Sequence, residues 1–272
     1  METISNHKPK IVVIGSCNTD MVVKANRLPV PGETILGGTF YMNPGGKGAN
    51  QAIAASRLGA EVTFISKIGY DLFGLQALEI YKSEKINTEF IFTDQKSPSG
   101  VALISVDSFG ENSIIVAPGA SRSLSIEDIN KAEEIIKESN IILMQLEVPI
   151  ETAEYAATIA NKYGKKVILN PAPASTLSDS FLNNVHTILP NRIEAEMLSG
   201  IKVMDIESAH RAAIAIGEKG IENVVITLGK DGSYVKEKDK YTMIPAKKVE
   251  TIDTTGAGDV FCGAFSVYLS EG

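Results

Sequence analysis

Short, unbroken apolar runs recur along the chain with helix-length segments between them, and this alternation constrains the fold more than any other feature. Ile11–Ile14, Val62–Ile65, Ile141–Met144, Val167–Leu169, Thr187–Leu189 and Asn223–Leu228 read as strands. Gln51–Leu58, Leu72–Tyr81, Ile126–Ile136, Glu151–Ala160, Ile193–Leu198 and Ile206–Ile216 carry helical patterns. A strand that is apolar throughout must be covered on both faces, and strands separated by helices run parallel. The spacing therefore predicts an α/β fold, with a mostly parallel central sheet and helices on both faces.

Two stretches break this rhythm. Met21–Asn43 contains Leu28-Pro29-Val30-Pro31-Gly32 and Gly37-Gly38 and leaves no room for a helix. Gly100–Val106 and Ser113–Ala117 flank the polar run from Asp107 to Asn112, the pattern of a hairpin with a longer loop. Together they predict a small antiparallel β lid, inserted at about residues 20–43 and 100–117 of one α/β domain spanning residues 1–272.

Composition excludes several function classes. With 26 Lys and Arg against 33 Asp and Glu, the net charge of −7 supplies no basic stripe for neutralising a nucleic-acid backbone. The two cysteines, Cys17 and Cys262, lie far apart and form no metal-binding pair, which suits a reducing compartment. No apolar run approaches the roughly 18 residues of a membrane span, and the first residues show no secretory pattern. The expectation is a soluble cytoplasmic enzyme without nucleic-acid or membrane partners.

Chemistry is concentrated in five segments. In Asp253-Thr254-Thr255-Gly256-Ala257-Gly258-Asp259, small residues lead into a helix whose first amides can approach an anion closely. Asp259 at that point either takes a proton from an attacking hydroxyl or merely complements the helix dipole. The segment Asn43-Pro44-Gly45-Gly46-Lys47-Gly48-Ala49-Asn50 lacks the hydroxyl residue that a Walker A loop needs after its lysine. It reads as one wall of a polar small-molecule pocket, or as a tight turn into a helix. Asn18 and Asp20 follow the first strand at alternate positions, so in extended chain they share a side. An amide and a carboxylate so placed suit polyol recognition, and an Asx turn is the plainer alternative.

The other two segments lie in the second half. Asn191-Arg192-Ile193-Glu194 matches a capping box, and its amide and carboxylate are also a donor set for the waters of a nucleotide-bound magnesium ion. Thr227-Leu228-Gly229-Lys230-Asp231-Gly232 cradles a phosphate or turns a hairpin toward Tyr234. His7, His186 and His210 lie near none of these motifs, so a histidine-based nucleophilic site has no support.

Taken in order, these segments resemble the ribokinase family of sugar and nucleoside kinases over essentially the whole chain. The resemblance is carried by Gly45-Gly46-Lys47-Gly48-Ala49-Asn50-Gln51-Ala52, by Asn170-Pro171-Ala172-Pro173-Ala174, and by the segment from Asp253 to Asp259. It implies a Rossmann-like, ribokinase-type fold and ATP-dependent phosphorylation of D-ribose at its 5-hydroxyl. By the same resemblance Asp259 would be the base, and the amides of Gly256, Ala257 and Gly258 the anion hole. Asn18, Asp20, Gly46, Lys47, Asn50 and Glu147 would hold the sugar. Asn191, Thr227, Gly229, Gly232 and Gly258 would contact ATP, Glu194 with Asn191 would organise Mg²⁺ through water, and Asp253 with Thr255 would form part of a K⁺ site.

The resemblance also implies a homodimer formed through the lid. The family pattern continues past the helix that begins near Gly256, whereas this sequence stops at Gly272. Two alternatives stay open at this point: a kinase for another furanose or a nucleoside, and a sugar-binding chain without phosphoryl transfer.

Overall fold

The structure is a computed structural model that describes residues 8–250 and 254–271. The chain opens with β1 (Lys10–Ile14), β2 (Asn18–Lys24) and β3 (Thr39–Gly45), followed by α1 (Lys47–Arg57). Then come β4 (Glu61–Gly69), α2 (Leu72–Ser83), β5 (Ile91–Asp94), β6 (Gly100–Val106) and β7 (Asn112–Ala117). Two short helices, α3 (Ile126–Lys131) and α4 (Glu133–Glu138), lead to β8 (Ile141–Met144), α5 (Ile150–Lys162) and β9 (Lys166–Leu169). The last part holds α6 (Asp179–Leu182), β10 (Thr187–Ile188), α7 (Arg192–Ser199), α8 (Ile206–Gly217), β11 (Asn223–Thr227), β12 (Ser233–Glu237), β13 (Lys240–Ile244) and α9 (Ala257–Glu271).

The main sheet runs β13-β12-β11-β10-β9-β8-β1-β4-β5. From β11 to β5 every pairing is parallel, and the edge strands β12 and β13 are antiparallel. This is the expected doubly covered sheet, with a hairpin added at one edge. Its central strands alternate between two cores. Val12, Ile14, Ile142 and Met144 pack on one side with residues of α4, α5 and α8. Ile11, Val13, Ile141 and Leu143 pack on the other with residues of α1, α2 and α9. All eight side chains are at most 1% exposed, which is why these strands read as unbroken apolar runs.

Strand order reverses at β1: the chain builds outward through β4 and β5 on one side and from β8 on the other. A crevice forms at the carboxyl ends of strands at such a switch point, and ligands bind there. Asn18 and Asp20 follow β1, Glu147 follows β8, and α1 starts beside them.

The lid is a second sheet, ordered β3-β2-β6-β7. Its outer pairings, β2 with β3 and β6 with β7, are antiparallel as expected, and its central pairing, β2 with β6, is parallel. The first hairpin leaves the carboxyl end of β1 and the second that of β5, strands that run parallel in the main sheet, so their first strands point the same way. Met42, Met21, Leu103 and Ile115 form a cross-strand row on one face. Tyr41, Val22, Ile104 and Ile114 form the adjacent row on the other, which lines the cleft beneath.

One predicted helix is divided. The span Ile126–Ile136 is two helices meeting at Ala132, where the Ala132 N–H donates to the Ile129 carbonyl at 3.0 Å, three residues back. That tighter bond ends the first helix and restarts the second.

Candidate active site

A cleft of about 1350 Å³ lies between the lid, α1 and the start of α9. Asp20, Asn43, Asn50, Thr254, Thr255 and Gly256 contribute to its walls. Asp259 stands on the first turn of α9 and is 6% exposed. Its Oδ2 accepts from Asn50 Nδ2 at 3.0 Å, and its Oδ1 accepts from Gln51 Nε2 at 3.0 Å. The fold thus joins two predicted site segments that are 209 residues apart in sequence.

The preceding turn has the geometry that small residues permit. Gly256 adopts a φ of 73°, and the Ala257 N–H donates to the Thr254 carbonyl at 3.1 Å. Of the three amides nominated from the sequence, the one at Ala257 is therefore engaged within the turn. Gly258 is exposed at the helix start. Asp253 lies outside the described residues, as does His7.

The start of α1 is fixed by a second carboxylate. Glu147 Oε2 accepts from the Lys47 N–H at 3.0 Å and also from the Ser16 hydroxyl. Gly46 has a φ of 88°, and a Cβ there would lie 2.8 Å from the Asn18 nitrogen, so the paired glycines answer both to backbone conformation and to close packing. The Gly45 Cα faces the Asp20 carboxylate, where a Cβ would approach Oδ1 to 2.0 Å. Asn18 is buried, and its Oδ1 has no hydrogen-bond partner.

Negative charge accumulates here. Burial raises the Asp20 carboxyl to about 6, and the charges of Glu147 and Asp259 push in the same direction. Glu194 is buried, and desolvation lifts it above the ordinary carboxylate value; Asp259 adds to the rise, while hydrogen bonds from Asn191 and the charge of Lys47 oppose it. Glu194 thus lies within electrostatic reach of the α1 and α9 residues.

Asn191 and Glu194 form the predicted capping box. Asn191 Oδ1 accepts from the Glu194 N–H at 2.9 Å, and Glu194 Oε2 accepts from the Asn191 N–H at 2.8 Å. Among the described residues, no group of three or more His, Cys, Asp or Glu side chains could hold a metal ion. The loop from Thr227 to Gly232 turns the β11–β12 hairpin, the plainer of its two readings. A Cβ on Gly232 would lie 2.0 Å from the Ile244 carbonyl oxygen, so backbone packing alone demands glycine there. Thr227 bridges to Asn191, which gathers the predicted nucleotide residues at the ends of β10 and β11. His186 contacts Thr187 and Asn223, and His210 contacts Tyr234, away from the cleft as expected.

The sequence profile described as pfkB family carbohydrate kinase matches residues 8–272. The chain belongs to that family. It is a carbohydrate kinase, with a sheet and lid arranged as in solved relatives. It is 46% identical over 261 residues to a ribokinase of Haemophilus influenzae, covering 96% of this chain and 85% of the relative. It is 38% identical over 262 residues to a deoxyribokinase of Salmonella typhi, covering 96% and 86%. A structure of Arabidopsis thaliana ribokinase complexed with ribose and ATP superposes with a TM-score of 0.88 at 30% identity, covering 98% of this chain and 87% of that one.

Besides Asn170, three residues packed around Asp259 and the start of α1 carried no role in the sequence reading: Ser16, Gln51 and Gln145. Each was visible as a polar residue beside or within an apolar run, Gln51 in the alanine-rich α1 and Gln145 directly after the apolar β8. All three are buried. No helix among the described residues is long and apolar enough to cross a membrane.

Proposed function

We propose that this carbohydrate kinase transfers the γ-phosphoryl group of ATP to the 5-hydroxyl of D-ribose, giving ribose 5-phosphate and ADP. The observation that carries the reading is the placement of Asp259, buried between Asn50 and Gln51 on the first turn of a helix that opens on the cleft. Asp20 and Asn50 face the same space and present an acceptor and an amide to sugar hydroxyls. Asn18, Gly46, Lys47 and Glu147 complete that wall in the proposal, with Glu147 acting by fixing the start of α1.

As the sugar oxygen attacks the γ-phosphorus, Asp259 accepts its proton and the bond to the bridging oxygen of ADP breaks. The amides at Gly256, Ala257 and Gly258 face the charge on the transferred group, with the Ala257 amide turning from Thr254 to do so. Such transfer depends on positioning and fixed dipoles more than on covalent chemistry, which suits one acid beside a helix N-terminus. Asn191, Thr227, Gly229 and Gly232 contact the nucleotide in this reading.

Magnesium fits an outer-shell role: Glu194 and Asn191 offer hard oxygen atoms, and both are already tied into the capping box. Bound with ATP, it would offset phosphate charge, and Asn191 and Glu194 would hold its waters. Thr255 would contribute to a K⁺ site with Asp253. A homodimer through the lid is supported by the apolar row of Met42, Met21, Leu103 and Ile115 on the face turned from the cleft. Residues 1–272 form one unit in this reading, with the lid as its insertion.

The likeness to a deoxyribokinase favours a second reading, in which 2-deoxy-D-ribose is the preferred acceptor. The test is ADP release with Mg²⁺-ATP and either sugar, with and without K⁺. Turnover with D-ribose that exceeds turnover with the deoxy sugar, and is lost in Asp259→Asn, supports the first reading. A melting temperature raised by ribose without turnover marks a sugar-binding chain. No response to either sugar points to another furanose or a nucleoside.

A further inference from the structure

Asp259 is held from inside the protein by a chain of buried amides whose direction is fixed by a backbone carbonyl. The Leu189 carbonyl can only accept, and it accepts from Asn170 Nδ2 at 3.0 Å. Asn170 must then turn its Oδ1 the other way, where it accepts from Gln51 Nε2 at 3.2 Å. The same Gln51 nitrogen donates to Asp259 Oδ1 at 3.0 Å. The remaining atom of the amide, Gln51 Oε1, accepts from Gln145 Nε2 at 2.5 Å. Every orientation therefore follows from Leu189, and a flipped Gln51 would turn an oxygen toward the carboxylate. Gln51 and Gln145 are 0% exposed, so water offers no substitute for these bonds.

This arrangement is costly to maintain. Gln145 Oε1 is buried without a hydrogen-bond partner, and it lies against Gly15, where a Cβ would approach it to 2.0 Å. A buried unpaired acceptor is destabilising, a loss that an apolar side chain at position 145 would avoid. The network is thus more polar than packing requires.

We infer that Gln51 is a positioning residue for phosphoryl transfer: latched by Gln145 and Asn170, it pins Asp259 Oδ1 from the interior, so that Oδ2, which accepts from the cleft-lining Asn50, turns its second lone pair to the substrate proton. This rests on the reading of Asp259 as the base. Gln51 need not touch either substrate, so its loss acts on turnover and not on sugar affinity.

The experiment compares Gln51→Met, Gln145→Met, Asp259→Asn and the double variant Gln51→Met with Asp259→Asn, in steady-state ADP release with D-ribose. Gln51→Met is expected to lower kcat tenfold or more with KM for ribose within twofold of the parent. Gln145→Met, one amide further away, lowers kcat by a smaller factor with KM likewise unchanged, and it carries the test if Gln51→Met does not fold. Adding Gln51→Met to Asp259→Asn costs no further turnover, because the residue acts through the carboxylate. Parental kcat in both methionine variants, a loss confined to KM, or an equal further loss in the Asp259→Asn background would overturn the positioning role. Undiminished turnover in Asp259→Asn alone would overturn the base assignment, and the positioning role with it.

Discussion

Asp20 sits where recognition and stability pull apart. Its carboxyl is raised to about 6 by burial, Glu147 and Asp259, against an ordinary value near 4. The folded state therefore holds the proton more tightly than the unfolded chain does. Stability from that proton is present below about pH 4 and is lost as pH climbs through about 6. Asp20→Asn is accordingly expected to raise the melting temperature at about pH 8, with the gain shrinking toward about pH 4. If Asp20 holds the sugar as proposed, its ionised form accepts the hydroxyls, so KM for D-ribose should rise as pH falls below about 6, and this dependence should vanish in Asp20→Asn. For Asp259→Asn, the proposed role as general base predicts kcat reduced by about 10²–10⁴-fold with the fold intact, checked by turnover beside a thermal melt.

Residues proposed to meet a ligand directly stood out in the sequence because glycines and acids clustered around them. Gln51 appeared only as part of the Gly45–Ala52 segment and Gln145 not at all, since a buried glutamine that bonds another side chain carries no spacing signal of its own.

Among the elements, the contact of α1 with α9 decides whether Asp259 meets Asn50 and Gln51. Gly263 allows it: a Cβ there would lie 2.8 Å from both Ala54 Cβ and the Gln51 carbonyl oxygen. Gly263→Ala should force the helices apart, costing about 1–3 kcal/mol. It should also lower kcat, because Asp259 rides on α9 while Asn50 and Gln51 ride on α1. A melting curve and a turnover assay on the same preparation check both effects.

The apolar rhythm made six of the seven parallel strands among the described residues and most helices legible; β5 was missed, because Ile91-Phe92-Thr93-Asp94 is a short edge strand without a continuous apolar run. The edge pair β12 and β13 was not fully legible, because Lys240–Ile244 lies largely exposed and lacks a continuous apolar run. The parallel pairing at the centre of the lid was hidden for another reason: which strand neighbours which depends on where both hairpins leave the main sheet. Pro44 near the end of β3 also obscured that strand, although an edge position tolerates it.

For the whole molecule, the lid's outward row predicts the state of assembly. Leu103 and Ile115 are 50% and 67% exposed, and both belong to that row. Leu103→Asp or Ile115→Lys should convert a lid-mediated dimer to monomer in sedimentation velocity, leaving the melting temperature of the monomer nearly unchanged. A parent chain that sediments as a monomer at all concentrations would contradict the dimer.

The base of the lid is a continuous row in which Gly45 and Gly100 flank Asn18 in register, with Ala117 one step further on, opposite Val101. Each of the four lid strands is tied at that row to the body, so the lid rests on four chain crossings and not on a single hinge. Two of those crossings run straight into the wall proposed to hold the sugar, Asn18 to Asp20 at one and Gly46 to Lys47 at the other. If that wall binds the sugar, it is also the fulcrum of the lid, and grip on the sugar and tilt of the lid become one coordinate. Whatever seizes the lid's outer face would then alter sugar affinity by some factor, and the sugar would alter the hold on that face by the same factor.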